Sequence, residues 1–252
     1  MATRTKNNKP KGSSMKILIT NDDGICAEGI RALASFAKNI GDVTVIAPKI
    51  EQSGKSHAID FTRPFEIKRV EFMDGVEAWS LDSTPADCVR FGFVYLGGFD
   101  LVLSGINKGV NLGADLVYSG TVGAIFEAAR MGSRGIAIST YPDTLDEAKE
   151  HLDSIWKFIS EHRLLDETPI YNINIPKIPT GIKITKQGSP YFSDEFVKQD
   201  GDVFVQMGSM IPDTSPDDPS RDTNALLANF ISVTPLSTTR TDMRVFEKFK
   251  DI

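Results

Sequence analysis

The hydrophobic positions in the first fifty residues form short runs that are typical of a parallel sheet. Residues 15–20 (MKILIT) and 42–47 (DVTVIA) are apolar and rich in β-branched side chains, which indicates two buried strands. Between them, apolar residues recur at helical spacing, at Ile30, Leu33, Ala34 and Ala37. The order strand, turn, helix, strand predicts a βαβ unit with parallel strands.

The alternation of strands and helices continues to about residue 180. Further strands are predicted at 78–81, 99–104, 135–140 and 171–175. One helix is predicted to begin at Pro85, with Thr84 as its N-cap. Two more are predicted, an alanine-rich one at 121–131 and an amphipathic one at 145–161. This part of the chain is therefore predicted to be an α/β fold, a Rossmann-like three-layer core around a mainly parallel sheet.

After residue 180 the predicted strands are shorter and their connections are more polar. Hairpin-type strands are predicted at 182–185 and 203–207, and a Pro- and Asp-rich loop follows at 212–219. Asp222 is expected to cap a short helix that runs through residue 228, and 231–234 is predicted as the last strand.

These patterns predict one domain with an appendage. Residues 1–14 are expected to be a disordered extension or a non-native remnant, and the folded domain is expected to span 15–252. Within it, we expect a core at 15–180 and a β-rich C-terminal oligomerisation appendage at 181–252 that packs on a partner subunit.

Composition and charge exclude several classes of function. The chain of 252 residues has 28 basic and 34 acidic residues, and its basic run is confined to residues 4–11. Proteins that bind duplexes concentrate basic residues on one face, so we expect no nucleic-acid polymer as a partner. No apolar run approaches the ~20 residues of a membrane span, and because the first residues lack an apolar segment we expect no signal peptide. Cys26 and Cys88 form no CxxC pair, and a cytoplasmic protein with no membrane partner is predicted.

The first candidate for chemistry is the turn Asn21-Asp22-Asp23-Gly24, directly after the first predicted strand. Open parallel sheets bind ligands at the carboxyl ends of their strands. Gly24 would allow both carboxylates to converge, and converged carboxylates repel each other unless a cation lies between them. Oxygen ligands favour Mg²⁺, Mn²⁺ or Ca²⁺. The alternative is that the four residues form only a polar turn before the helix.

The loop after the second strand lies at the same predicted edge. Ser53 could add a hydroxyl ligand, and Lys55 and Ser56 could meet a phosphate. His57 is the only histidine in such a loop and thus the only imidazole candidate for proton transfer. A surface position without function is the alternative for His57.

The third candidate is the glycine- and asparagine-rich segment 104–115, which follows the strand at 99–104. Asn107 can offer a neutral carbonyl oxygen to a hard cation. Ser119, Gly120 and Thr121 then open the alanine-rich helix, and a helix N-terminus of this kind can bind phosphate. The alternative is an ordinary glycine loop and N-cap. Together the three segments supply the groups that metal-assisted phosphoryl hydrolysis requires.

Five stretches of the sequence resemble the SurE (survival protein E) family of nucleotidases and phosphatases. They are ILITNDDG at 17–24, AP-x₃-QSG at 47–54, TPADCV at 84–89, SGINKGVNLGADLVYSGTVGA at 104–124, and SVTPL at 232–236. The central run is highly specific, whereas NDDG alone is not. Two positions depart from the family pattern as we expect it: the charged stretch Lys55-Ser56-His57, and the lack of an aromatic residue near Asp222.

The resemblance implies one divalent metal ion per subunit, Mg²⁺ or Mn²⁺ with Ca²⁺ as a third candidate. Its implied ligands are Asp22, Asp23, Ser53 and Asn107. The implied activity is that of a metal-dependent 5′/3′-nucleotidase that hydrolyses nucleoside monophosphates to nucleoside and phosphate. A homodimer or homotetramer is also implied.

On this basis we expect Asn111 to position a phosphate oxygen or the attacking water. His57 or a second water is expected to protonate the leaving oxygen. The expected catalytic residues are Asp22, Asp23, Asn107, Asn111 and His57. Substrate contacts are expected from Asn21, Ser56, Gly105, Ser119, Gly120 and Thr121.

Two other functions stay open from the sequence. Asp22 or Asp23 could be a covalent nucleophile that passes through an aspartyl-phosphate, although such phosphatases usually space the two aspartates by one residue. The protein could also sense a nucleotide or a metal without turnover, because an anion site alone would serve that role.

Overall fold

The computed structural model describes residues 14–252, so nearly all of the predicted extension at 1–14 lies outside the described residues. Its strands are β1 (Lys16–Thr20), β2 (Asp42–Pro48), β3 (Ile67–Arg69), β4 (Glu77–Leu81), β5 (Leu101–Lys108), β6 (Arg134–Thr140), β7 (Ile170–Ile175), β8 (Gly181–Ile184), β9 (Glu195–Lys198), β10 (Phe204–Met207) and β11 (Phe230–Pro235). Its α-helices are α1 (Glu28–Ala37), α2 (Pro85–Tyr95), α3 (Gly120–Arg130), α4 (Leu145–Lys149), α5 (Leu152–Glu161), α6 (Leu164–Glu167), α7 (Asp222–Leu227) and α8 (Met243–Phe249). A 3₁₀ helix covers Gly113–Tyr118.

The main sheet has nine strands in the order β3-β4-β2-β1-β5-β6-β7-β11-β8. The six consecutive strands from β4 to β7 are parallel, and β3 and β11 pair antiparallel with β4 and β7. The chain builds outward from β1 through β2 and β4, and then crosses to the other side of β1 as β5. The carboxyl ends of β1 and β5 therefore flank a topological switch point, where open α/β sheets bind ligands.

Helices cover both faces of the sheet because neighbouring strand residues point to opposite sides. On β1, Ile17 and Ile19 join a buried cluster with α1, α4 and α5. Leu18, between them, belongs to a separate cluster with α2 and α3. The predicted three-layer α/β core with a mainly parallel sheet is therefore confirmed.

The helix predicted at 145–161 is wrong as a single element. In the structure it is interrupted at Glu150 and His151, between α4 and α5. The amide groups of these two residues donate to the carbonyl oxygens of Glu147 and Ala148, three residues back. A 3₁₀-type turn thus replaces the α-helical ladder and changes the direction of the chain.

The C-terminal part differs from the prediction in its pairing. The strand predicted at 182–185 is not part of a hairpin, because β8 pairs parallel with β11 at the edge of the main sheet. The hairpin consists instead of β10 and the unpredicted β9, which form a separate antiparallel sheet. Asp222 is the first residue of α7 rather than its cap. The elements β3, α8 and the 3₁₀ helix were also not predicted.

The packing of α1 on β5 requires glycine at position 29. A Cβ atom there would lie 2.0 Å from the carbonyl oxygen of Ile106. In an unconstrained helix, alanine would be favoured over glycine by about 1 kcal/mol. Because a backbone carbonyl in β5 cannot move aside without shifting the sheet, steric overlap outweighs this preference.

We therefore expect Gly29→Ala to lower the free energy of unfolding by about 2 kcal/mol, measured by urea denaturation. The matched control is Gly181→Ala, whose Cβ would lie 3.4 Å from the ring of Phe230, and which should change stability by less than about 0.5 kcal/mol. Equal stability of the two variants would contradict the packing described for α1.

Candidate active site

The turn after β1 is held by the side chain of its first residue. Asn21 is fully buried, its Nδ2 donates to the carbonyl oxygen of Gly24 at 2.9 Å, and its Oδ1 accepts from the Gly24 amide at 3.2 Å. Gly24 has a φ of +98°, which glycine adopts without strain. The sequence predicts a substrate contact for Asn21, whereas in the structure its polar side-chain atoms serve the turn.

The carboxylate of Asp22 lies against the N-terminus of α3. Its Oδ1 accepts from the hydroxyl of Thr121 at 2.5 Å, and its Oδ2 accepts from the Thr121 amide at 3.1 Å. Burial, together with the charge of Asp23, raises the pKa of Asp22 to about 6, although the hydrogen bonds from Thr121 oppose the shift. The carboxylate of Asp22 is thus shielded from water, and a nearby positive charge would stabilise its ionised form.

Asp23 connects the turn to the loops on both sides of it. Its Oδ2 accepts from the amide of Lys108, at the end of β5, at 3.4 Å. Burial raises the pKa of Asp23, and the nearby carboxylate of Glu51, in the loop after β2, raises it further. Glu51 could not be singled out from the sequence, because one acidic residue in an exposed loop is an ordinary feature.

The loop after β2 reaches the turn through its backbone. The amide of Gln52 donates to the carbonyl oxygen of Asp22 at 2.7 Å, so the residue directly before Ser53 is bound to the turn. Ser53 Oγ donates to Glu51 at 2.6 Å, so its lone pairs remain available to a cation.

Ser56 and His57 contact other parts of the protein. The amide and hydroxyl of Ser56 donate to the carbonyl oxygens of Tyr118 and Val117. His57 Nε2 lies 2.8 Å from a carboxylate oxygen of Glu127, which is buried in α3. The Ser56 hydroxyl and the His57 ring thus already have partners within the protein. The phosphate contact predicted for Ser56 and the proton transfer predicted for His57 stay predictions.

At the end of β5, Asn107 and Gly105 occupy different environments. Asn107 Nδ2 donates to the carbonyl oxygen of Gly109 at 2.7 Å, which leaves Oδ1 as the amide atom that can bind a cation. Gly105 is buried within the sheet, and a Cβ there would lie 2.2 Å from the carbonyl oxygen of Ile138. Gly105 thus permits close packing of β5 on β6, and the substrate contact predicted for it stays a prediction.

The N-terminus of α3 is already bound to protein groups in part. Ser119 caps the helix, since its Oγ accepts from the amide of Val122 at 3.1 Å. The amide of Thr121 is bound to Asp22, and a Cβ on Gly120 would lie 3.0 Å from the same carboxylate. The Asp22 carboxylate therefore occupies part of the anion site predicted at this helix N-terminus. The amide and hydroxyl of Thr121 bind this carboxylate in the structure, where a phosphate contact is predicted.

Asn111 belongs to a network of amide side chains. Its Nδ2 donates to Ser139 Oγ at 2.8 Å, and its own amide donates to Asn174 Oδ1 at 2.8 Å. Its carbonyl oxygen accepts from the side chains of Asn172 and Asn174. These bonds fix the glycine-rich segment to β6 and β7, a role that the sequence did not reveal because the partners lie 28 to 63 residues away.

The chemistry of this edge fits a divalent cation. Two adjacent carboxylates are desolvated, and a nearby negative charge further raises the pKa of each, from Asp23 for Asp22 and from Glu51 for Asp23. Within residues 14–252, no group of three or more His, Cys, Asp and Glu side chains could hold a metal ion. A cation here would therefore need neutral oxygens besides Asp22 and Asp23, and Ser53 Oγ and Asn107 Oδ1 are the candidates among the predicted ligands.

We expect Thr121→Val to lower the free energy of unfolding by about 1–3 kcal/mol. The valine keeps the shape but removes a hydroxyl donor from a buried carboxylate. Thr62→Val is the matched control, because it removes a similar bond to Asp60 at an exposed site, and it should cost less than about 0.5 kcal/mol. Urea denaturation of both variants measures the difference, and a harmless Thr121→Val would contradict the importance of this bond.

Comparisons with known proteins agree with this geometry. The family model described as "Survival protein SurE" matches residues 17–194. The chain is 39% identical to the 5′-nucleotidase SurE of Thermosipho africanus, covering 94% of this chain and 98% of the relative. It is 37% identical to the 5′-nucleotidase SurE of Pelotomaculum thermopropionicum, covering 94% and 95%.

A solved structure agrees with these sequence relatives. The crystal structure of SurE protein from Aquifex aeolicus superposes with a TM-score of 0.78 at 31% identity, covering 94% of this chain and 98% of that one. The shared fold, the family match and the extent of the sequence similarity all agree, and the chain therefore belongs to the SurE family.

Proposed function

We propose that this protein is a divalent-metal-dependent nucleotidase that hydrolyses nucleoside monophosphates to nucleoside and phosphate. The observation that carries the proposal is the pair of desolvated carboxylates, Asp22 and Asp23, at the switch point of the sheet. The relatives that carry the name 5′-nucleotidase support the substrate class.

Asp22, Asp23, Ser53 and Asn107 are the proposed metal ligands. The metal, Mg²⁺ or Mn²⁺ with Ca²⁺ as a third candidate, would polarise the phosphoryl group and lower the pKa of a bound water. Four protein ligands leave room for water and a phosphate oxygen. Because this site engages the phosphate, the proposal covers both 5′- and 3′-monophosphates.

The protein contributes positioning and charge to the reaction. The dipole of α3, which has Ser119 as its N-cap and Gly120 as its first residue, favours a phosphate at the helix N-terminus. Asn111 orients the glycine-rich segment through its bonds to the ends of β6 and β7. We assign the leaving-group proton to a water rather than to His57, because Glu127 binds His57 Nε2.

Asp22→Asn should abolish metal-dependent release of phosphate from nucleoside monophosphates, because it removes the charge that binds the cation. The matched control is Asp200→Asn in the exposed β9–β10 turn, which should retain wild-type activity. Colorimetric phosphate release, with Mn²⁺ and with EDTA, measures both. Full activity of Asp22→Asn, or of the wild type in EDTA, would overturn the proposal.

The two rival functions predict different results in the same assays. An aspartyl-phosphate mechanism predicts a labelled phosphoenzyme after a rapid quench, which the metal-hydrolysis mechanism does not. The hydrogen bonds from Thr121 to both oxygens of Asp22 disfavour this residue as a nucleophile. A sensing protein would bind nucleotide and metal but release no phosphate.

The C-terminal appendage supports the proposed homodimer or homotetramer. All residues of β9 and β10 are exposed, and α8 has no buried residue. A two-stranded hairpin alone is marginally stable in water, and exposed apolar patches of this kind mark interaction surfaces.

None of the helices within residues 14–252 has the length and apolarity that a membrane crossing requires. Cytoplasmic localisation stays a prediction.

Light scattering after size-exclusion chromatography should show a dimer or tetramer for the wild type. Phe204→Asp, in β10, should lower the mass because it places a charge in the proposed interface. Phe61→Asp is the control, since Phe61 is 84% exposed in a loop outside the appendage, and it should leave the mass unchanged. A monomeric wild type would contradict the proposed assembly.

A further inference from the structure

Residues 52–60, which we call the strap, cross from the proposed metal site to two helices. The strap begins where the Gln52 amide binds the carbonyl oxygen of Asp22. It passes over α3, where a Cβ on Gly123 would lie 2.2 Å from the carbonyl oxygen of Ser56. It ends on α2, where the amide of Asp60 donates to Asp87 Oδ2 at 2.8 Å. The strap therefore connects Ser53, near its start, to α3 and then to α2.

The strap is anchored by polar contacts rather than by a hydrophobic core. Ser56 donates two hydrogen bonds to the 3₁₀ helix, and the hydroxyl of Thr84 donates to the carbonyl oxygen of Ala58 at 2.7 Å. Most of its side chains are exposed or only partly buried. Its position thus depends on how firmly each anchor is held.

Glu127 is the most deeply buried of these anchors. Its side chain is 2% exposed, and it binds His57 at 2.8 Å while Arg130 and Arg90 approach the same carboxylate. Burial alone would raise the pKa of Glu127, but the hydrogen bonds and charges of His57 and Arg130 hold it at about 2. The carboxylate is therefore ionised, and it is held by Arg90 and Arg130 as well as by His57.

We propose that His57 and Glu127 are positioning residues, which hold the strap on α3 so that Ser53 is presented to the metal. This inference rests on the proposed function and assigns His57 a role other than proton transfer. Its physical basis is that residues which hold a metal ligand in place, without touching the metal, fix the orientation of that ligand. Their loss typically weakens metal binding by about 10- to 100-fold.

The chain offers a direct probe of strap release. Lys55 is exposed within the strap, so trypsin can cleave after it once the strap leaves α3. His57→Ala should accelerate this cleavage, and His57→Gln, whose amide can still donate to Glu127, should largely restore protection. Gly123→Ala should also accelerate it by displacing the strap from the helix side. His151→Ala, at the start of α5, is the matched control and should behave as wild type.

Calorimetric titration with Mn²⁺ tests the link to the metal. His57→Ala should weaken Mn²⁺ affinity by about 10-fold or more. At saturating Mn²⁺, kcat should fall by less than about threefold. Removal of a general acid would lower kcat far more. His57→Gln should recover the affinity. Circular dichroism confirms that each variant is folded.

Three results would overturn the proposal. The first is unchanged Mn²⁺ affinity in a folded His57→Ala variant. The second is unchanged cleavage at Lys55 in that variant. The third is loss of kcat at saturating Mn²⁺ in both His57→Ala and His57→Gln, which would mark His57 as a proton donor. If the wild type binds Mn²⁺ but hydrolyses no nucleotide, the proposed function fails, whereas the cleavage and binding results still decide the role of the strap.

Discussion

The site depends on the contact between the carboxylate of Asp22 and the first turn of α3. The amide and hydroxyl of Thr121 bind both oxygens of Asp22, and the close approach requires glycine at position 120. Because α3 also packs on β5 and β6, this contact joins the end of the central strand to the helix layer. The turn after β1, the strap and the end of β5 are all positioned relative to it.

The electrostatics of this contact favour a cation beside Asp22 and Asp23. A helix N-terminus stabilises a nearby carboxylate by about 0.3–2 kcal/mol. Two like charges 4 Å apart repel by about 4 kcal/mol at the effective dielectric near a protein surface. The helix therefore cannot offset the burial of Asp22 beside Asp23 and Glu51, which is why the pKa values of both aspartates are raised. The proposed divalent cation would supply the missing charge, and the proposed neutral ligands Ser53 and Asn107 would complete its shell without further repulsion.

Hydrophobic periodicity was sufficient to predict the parallel strands, because β1, β2 and β5 are buried on both faces. It also placed Asp22, Ser53 and Asn107 at one sheet edge. The appendage could not be predicted in this way, since β9 and β10 are exposed on both faces and lack alternation. Contacts within the scaffold could not be predicted from the sequence either. His57, Asn21 and Thr121 look like reactive side chains in the sequence, but their partners Glu127, Gly24 and Asp22 are revealed only by the fold.

Anomalous diffraction from crystals soaked in Mn²⁺ tests the central claim most directly. The account predicts one strong peak per subunit at the switch point, within about 2.0–2.6 Å of oxygen atoms from the proposed ligands, which are Asp22, Asp23, Ser53 and Asn107. A peak at another site, or no peak at these four side chains at millimolar Mn²⁺, would contradict it.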